Sequence, residues 1–281
     1  NKYIFKKPIV GQVVNKVSKG KQANNLFSIA TKAAIYRNPD TGSRGFDNSF
    51  THLEDELDKS LERMNIDCVD LFYVHRRDSN IPIEEVTESL AKLVKKGKAL
   101  NIGYSEISPS SLIRATSIHQ IAAVQSEYSL STRSPEMGLI QTCKNLGTAL
   151  VAFSPVGRTL LTDSPLSYQF AQTLDFTKNN PRFMQPNYDA NILMTNKFRI
   201  YARDHGVAAS TLAIAWILTK GEHIIPIPGT RSTDHLHELA AAMDFDMTTQ
   251  ILEDIEIILP LGWAHGDRYS EAQWIGPERY C

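Results

Sequence analysis

Val69-Asp70-Leu71-Phe72-Tyr73-Val74-His75 is a β-branched and aromatic run that ends on an imidazole, with Arg76-Arg77-Asp78 directly behind it. Runs this short and this apolar fit strands buried on both faces, as parallel strands are when helices cover the sheet. Five more lie along the chain, at residues 27–31, 100–104, 122–125, 149–153 and 224–227. Amphipathic stretches at 51–64, 83–96, 109–117, 136–146, 192–204, 208–220 and 233–243 read as helices between them. Three carry end signals. Ser49 and Thr51 precede the acidic run Glu54-Asp55-Glu56, Ser108-Pro109 puts proline at a first helical position, and Lys95-Lys96-Gly97 closes a helix with cations and glycine.

Alternating β and α of this regularity is either an open doubly wound sheet or a (β/α)8 barrel. No Gly-x-Gly-x-x-Gly follows any of the strands, so the dinucleotide fingerprint of the open sheet is absent. Polar residues sit instead at the carboxyl ends of many strands: Lys32, His75, Ser105-Glu106, Gln125-Ser126, Ser154 and Gly229-Thr230-Arg231. Strand ends converging on one rim are how a barrel builds a site. The expected fold is therefore α/β, a TIM-type (β/α)8 barrel forming one domain over residues 1–281, with about six βα units present.

Composition narrows the function classes. The 281 residues, 42% hydrophobic and 22% charged, can bury a sizeable core and are unlike a disordered chain. Thirty basic against 31 acidic residues leave a net charge of −1, so no global field recruits nucleic acid or anionic lipid. The longest apolar run, residues 212–218, is far short of the roughly 20 residues that span a bilayer. Three scattered cysteines, Cys68, Cys143 and Cys281, make no disulfide framework or metal knuckle and fit a reducing cytoplasm.

Taken singly, Lys32 reads either as a snorkelling surface lysine or as a functional cation, and His75 either as a hydrogen-bonded structural residue or as a catalytic one. One βα unit separates them, so in a barrel they occupy adjacent strand ends. Here the sequence resembles the aldo-keto reductase family, nearest its short-loop bacterial and fungal branch with pyridoxal-reductase-like members. The segments that carry the likeness are Ile29-Ala30-Thr31-Lys32, residues 67–75, 97–106 (GKALNIGYSE), 123–130 (AVQSEYSL), 151–161 (VAFSPVGRTLL) and 225–238 (IPIPGTRSTDHLHE), in family order.

The resemblance implies NADPH-dependent reduction of a small aldehyde or ketone by an Asp-Tyr-Lys-His tetrad, of which Lys32 and His75 match the last two members. An ammonium beside a phenol lowers the phenol's pKa, and the phenol then protonates the alkoxide while histidine orients the carbonyl. It also implies that Ser105 and Gln125 hold the nicotinamide amide, that Phe153 stacks on its ring, and that Ser154-Pro155-Val156-Gly157 with Leu160 wraps the pyrophosphate. Glu106 stands where asparagine is frequent. Ile227 and Gly229-Thr230-Arg231 complete the phosphate end: the triplet is read as opening the last helix and Arg231 as gripping a 2′-phosphate, with His235 and Glu238 facing the adenosine. Leu239 replaces an asparagine that would touch the adenine.

The front of the chain departs from the family. The first strand, first helix and most of the second strand have no counterpart, no aspartate occurs before Asp40, and Tyr3 is the candidate phenol, followed by Ile4 where glycine is usual. This implies a fragment of a complete reductase or a decayed copy of one. Residues 164–191, with three prolines and no periodicity, read as a long loop, and the aromatic tail beyond residue 261 borders a pocket or caps a barrel end. Two other functions stay open: a non-catalytic barrel that binds nicotinamide cofactor as a regulatory subunit, and a Schiff-base lyase working through a desolvated Lys32.

Overall fold

A computed structural model of the chain describes residues 28–38, 40 and 42–281. They fall into two compact units. Unit one takes the chain up to Gln125, with Thr142–Thr148 and Gly276–Arg279; unit two takes Ser126–Gln141, Ala149–Ile275 and Tyr280–Cys281.

In unit one, β1 (Ala30–Ala33), β4 (Val69–Val74), β5 (Ala99–Ser105) and β6 (Ala123–Glu127, of which the first three residues count here) pair side by side, all parallel. Between β1 and β4 the chain makes a small antiparallel hairpin, β2 (Ile35–Arg37) with β3 (Arg44–Phe46). The register aligns Lys32 with Tyr73, Tyr73 with Gly103 and Gly103 with Ala123, then Ser105 with Gln125. Because strand side chains alternate, Lys32, Tyr73, His75, Gly103, Ser105 and Gln125 share one face. The other face belongs to the helices: the Tyr104 hydroxyl lies 2.7 Å from Thr87 Oγ1 on α2 (Ile83–Lys95), both fully buried.

Lys32 lies inside β1 and not after a strand, because β1 pairs with β4 through Ala33 and the ladder continues with His75 N donating to Ala33 O at 2.8 Å. The acidic run after Ser49 also sits differently from expectation. α1 (Phe50–Met64) starts at Phe50, with Ser49 Oγ accepting from His52 N, so its first turn holds no acid. Glu54 bridges to Lys96 and Lys98 instead, each at 2.7 Å. The caps on α2 and α3 (Pro109–Thr116) follow the sequence reading: Gly97 takes φ +73°, and Ser108 Oγ accepts from Ser111 N ahead of Pro109.

α4 (Leu139–Leu146) is preceded by a 3₁₀ turn at Ser134–Met137, so the helix starts three residues later than its periodicity predicts. Unit two pairs β7 (Ala149–Phe153) with β8 (Ile224–Pro226) in parallel. Its core is α7 (Ala209–Leu218), buried from Ala209 to Ile217, which is what a helix apolar all round requires. The segment read as one long loop contains α5 (Tyr168–Ala171) and a 3₁₀ turn at Pro181–Phe183, and α6 (Asn187–Asp204) begins inside it. Leu160, Ala171, Phe183 and Tyr188 pack into one buried cluster, which is why the segment is ordered without periodicity. α8 (Thr233–Ala240) is followed by α9 (Thr249–Ile258), capped by Thr248 and buried at Ile251 and Ile255, a helix the sequence reading passed over. No helix among the described residues is long and apolar enough to cross a membrane.

Gly103 is where the strand face is tightest. A Cβ there would stand 2.6 Å from the Ala123 carbonyl oxygen and 2.7 Å from the Tyr73 ring. Gly103→Ala should therefore lower stability by about 1–3 kcal/mol through overpacking, read as a reduced urea midpoint at unchanged m-value.

Candidate functional site

The shared strand face of unit one gathers four of the residues singled out by sequence. Lys32 Nζ donates to Gln125 Oε1 at 2.5 Å, and the ammonium lies 5.7 Å from the centre of the Tyr73 ring. Burial, helped by the nearby Arg76 guanidinium and opposed by the Glu106 carboxylate, brings the Lys32 pKa down to about 8. His75, one rung further along, is held well below the usual histidine value by burial and then by the charges of Lys32, Arg76 and Arg44. It is a neutral imidazole at physiological pH. Burial raises the Tyr73 phenol above its ordinary value against a hydrogen bond with Gln125, so Tyr73 stays protonated.

Ser105, 2% exposed, accepts from Arg76 Nη1 at 3.1 Å, and the same nitrogen donates to the His75 carbonyl at 2.7 Å. Glu106 is fully buried with φ +61°, its N–H donating to the Gln125 carbonyl at 2.9 Å. A neutral imidazole, an ammonium poised near neutrality and two amide or hydroxyl groups on one face can together hold and polarise a carbonyl. Tyr3 lies outside the described residues.

The segments that carry the rest of the site-residue reading are in unit two. Ile227 N donates to Ala152 O at 3.0 Å, which sets Ile227 beside the end of β7 and Phe153. Ser154 (φ +51°) and Gly157 (φ +58°) turn the following loop back on itself, and Gly157 N closes the turn onto Ser154 O at 2.9 Å. Pro155 and Leu160 are buried, and Val156 packs on the Ile214, Ala215 and Ala242 cluster. Leu239, partly buried, packs against the same cluster.

Gly229-Thr230-Arg231 does not open a helix, and the helix after it is not the last. α8 starts at Thr233 with Ser232 as its cap, because Ser232 Oγ accepts from His235 N while Thr230 Oγ1 accepts from Ser232 N at 3.1 Å. Arg231 is exposed and has no ion-pair partner among the described residues. His235 is exposed on α8, whereas Glu238 is engaged with α7, accepting from Ser210 Oγ at 3.3 Å.

Sequence reasoning missed three supports. Asn48, 1% exposed, donates to Arg76 O at 3.1 Å and accepts from Asp78 N at 2.7 Å, which pins the turn after β4. Arg76, to which the sequence reading assigns no role, is 7% exposed. Glu278 meets Arg77 Nε at 2.7 Å, accepts from Ser108 N and Oγ, and sends its own N–H to Glu106 O at 2.9 Å. Of these, only the Arg76-Arg77 doublet directly after a histidine carried a local signal. Among the described residues no cluster of His, Cys, Asp and Glu could hold a metal ion.

The sequence model of the Aldo/keto reductase family matches residues 4–260. A Schizosaccharomyces pombe protein named aldo-keto reductase yakc, whose name carries NADP(+), is 34% identical over 244 residues, covering 86% of this chain and 72% of its own. A Glycine max protein named probable aldo-keto reductase 1 is 34% identical over 285 residues, covering 95% of this chain and 80% of its own. Among solved structures, a glycerol dehydrogenase from Gluconobacter oxydans superposes with a TM-score of 0.76 at 22% identity, over 90% of this chain and 76% of that one. An aldo/keto reductase from Klebsiella pneumoniae, solved with NADP and acetate, gives 0.67 at 19% identity over 94% and 78%. These structural likenesses show the TIM-type barrel fold expected from the strand ends. A match from residue 4 to residue 260, joined to two relatives at 34% identity, settles the kinship: the chain belongs to the aldo/keto reductase family and is an oxidoreductase.

Proposed function

We propose that this protein reduces a small aldehyde or ketone to the alcohol with NADPH. The observation that carries the reading is the strand face on which Lys32, at about 8, and a neutral His75 stand beside Ser105 and Gln125. The residues of this chain fit the cofactor. Ser105 has one side-chain partner, Arg76, and Gln125 has two, Lys32 and Tyr73, yet the serine hydroxyl keeps a proton to donate and the glutamine amide a further N–H, enough for a carboxamide. In unit two, Arg231 is a fork-shaped cation with no ion-pair partner among the described residues, and the turn at Ser154 and Gly157 carries the backbone for a pyrophosphate. The NADP(+) in the name of the S. pombe relative supports the phosphorylated form.

When bound, the reduced nicotinamide supplies the hydride. His75 donates an N–H to the substrate carbonyl and, being neutral, polarises it without competing for the arriving negative charge. Lys32, charged below about pH 8, stabilises the anionic character of the proton donor, for which Tyr3 is the candidate. By the family likeness, Phe153 and Ile227 would flank the ring, Pro155, Val156 and Leu160 would shape the pyrophosphate loop with its two turn residues, and Gly229, Thr230 and Arg231 would hold the 2′-phosphate. His235 and Glu238 would border the adenosine.

Consumption of NADPH by an aromatic aldehyde, followed at the reduced cofactor's absorbance band, tests the reading. NADPH binding without turnover would favour a regulatory barrel instead. A lowered lysine pKa also suits imine chemistry, so a borohydride-trapped adduct on Lys32 would count against reduction. Lys32→Met should cut kcat about 10²–10⁴-fold while NADPH affinity, read by fluorescence, is kept. In the parent protein the reduction rate should fall as pH rises through about 8, where the ammonium is lost, and this limb should vanish in Lys32→Met. Arg231→Ala should weaken NADPH roughly ten- to hundredfold and leave NADH affinity nearly unchanged, checked by parallel titrations.

A further inference from the structure

Glu127, at the end of β6, has a side chain 1% exposed. Three guanidinium groups converge on it. Arg158 Nη2 donates to Oε2, Arg182 Nη1 lies 3.7 Å from Oε1, and Arg268 Nη1 lies 3.8 Å from Oε2, while Thr132 Oγ1 donates to Oε1 at 3.1 Å. The arginines are themselves 12%, 10% and 4% exposed at the side chain. They come from three separate segments: the loop after β7, the 3₁₀ turn at Pro181–Phe183 and the tail. A buried carboxylate is tolerated only when paired, and here it is the hub on which three otherwise unrelated stretches meet.

Arg158 is also the strained member of its loop. It sits at φ 54° and ψ 46°, followed by Thr159 at φ 82°, left-handed conformations that non-glycine residues keep only where their surroundings over-determine them. The surroundings do so. The Arg158 guanidinium lies 4.2 Å from the centre of the Phe176 ring and 5.4 Å from that of Tyr269, and its Nη1 donates to Arg268 O at 2.9 Å. The loop's own backbone bonds, Gly157 N to Ser154 O, Leu160 N to Gly157 O and Leu161 N to Val156 O, each span a single tight turn.

We propose that Glu127 is a positioning residue for the cofactor loop. Through Arg158 it holds the turn from Ser154 to Leu160 in the shape that receives a pyrophosphate, and through Arg182 and Arg268 it ties that shape to the 181–183 turn and the tail. The inference rests on the NADPH reading for what the loop receives, and on geometry alone for what holds the loop.

The test is Arg158→Met, which keeps apolar packing against Phe176 and Tyr269 and leaves Glu127 with Arg182 and Arg268. The dissociation constant for NADPH should rise about tenfold while kcat at saturating cofactor stays within about twofold. Amide exchange at Gly157, Leu160 and Leu161 should quicken about tenfold or more. Glu127→Gln should move both readouts in the same direction; where it fails to fold, Arg158→Met decides alone. Unchanged affinity with unchanged loop exchange overturns the proposal, as does faster exchange spread evenly through β7 and α7. A parent protein that binds no NADPH would refute the functional reading, and loop exchange in Arg158→Met would then decide the clamp by itself.

Discussion

The parallel register of β1, β4, β5 and β6 is the constraint on which the rest of unit one depends. With Lys32 opposite Tyr73, Tyr73 opposite Gly103 and Ser105 opposite Gln125, every second residue of four strands faces the same way. A slip of one residue in any strand would exchange faces. Lys32 and His75 would then point at α1 and α2, into the layer where Tyr104 meets Thr87. Gly103 makes the register sterically workable, since its missing side chain is the space the Tyr73 ring occupies.

The two units handle buried charge in opposite ways. On the strand face of unit one the Lys32 ammonium is met by a neutral amide oxygen, so desolvation is left to lower its pKa and the group is poised between its two forms. In unit two the Glu127 carboxylate is ringed by three guanidinium groups, with Arg158 bonded to it directly and Arg182 and Arg268 within 4 Å. The first arrangement suits chemistry, because the charge can change. The second suits construction, because one carboxylate gathers cations from three separate segments. Both rely on β6, whose alternate residues Gln125 and Glu127 supply the two acceptors.

Much of this was legible in the sequence where local physics decides. Strand β7 and helices α2 and α3 lie within a residue of their periodicity, because short apolar runs and caps such as Ser108-Pro109 and Gly97 act on their own neighbours. Lys32 and His75 could be paired because one βα unit separates them. What escaped reading depends on partners distant in the chain. Asn48 looks like any loop asparagine until the turn after β4 closes over it, and Arg76 gains its role only from Ser105, 29 residues on. Glu127 lay inside a segment quoted for its family likeness, yet nothing near it in sequence signals three arginines 31 residues or more away. The helix start assigned to Gly229-Thr230-Arg231 failed for a local reason: Ser232 is the better cap, and it took the N–H of His235.

The strap made by Glu278 has a bearing on how the chain is assembled. It reaches Ser108 across 170 residues, and the unit it completes otherwise needs only residues that are made much earlier. Contacts of such separation in sequence close slowly, since a large loop must lose its freedom before they form. During synthesis the earlier strands of unit one therefore emerge from the ribosome and pair while their final brace does not yet exist, and the loops bearing Arg77 and Ser108 wait unbraced until Glu278 has been translated.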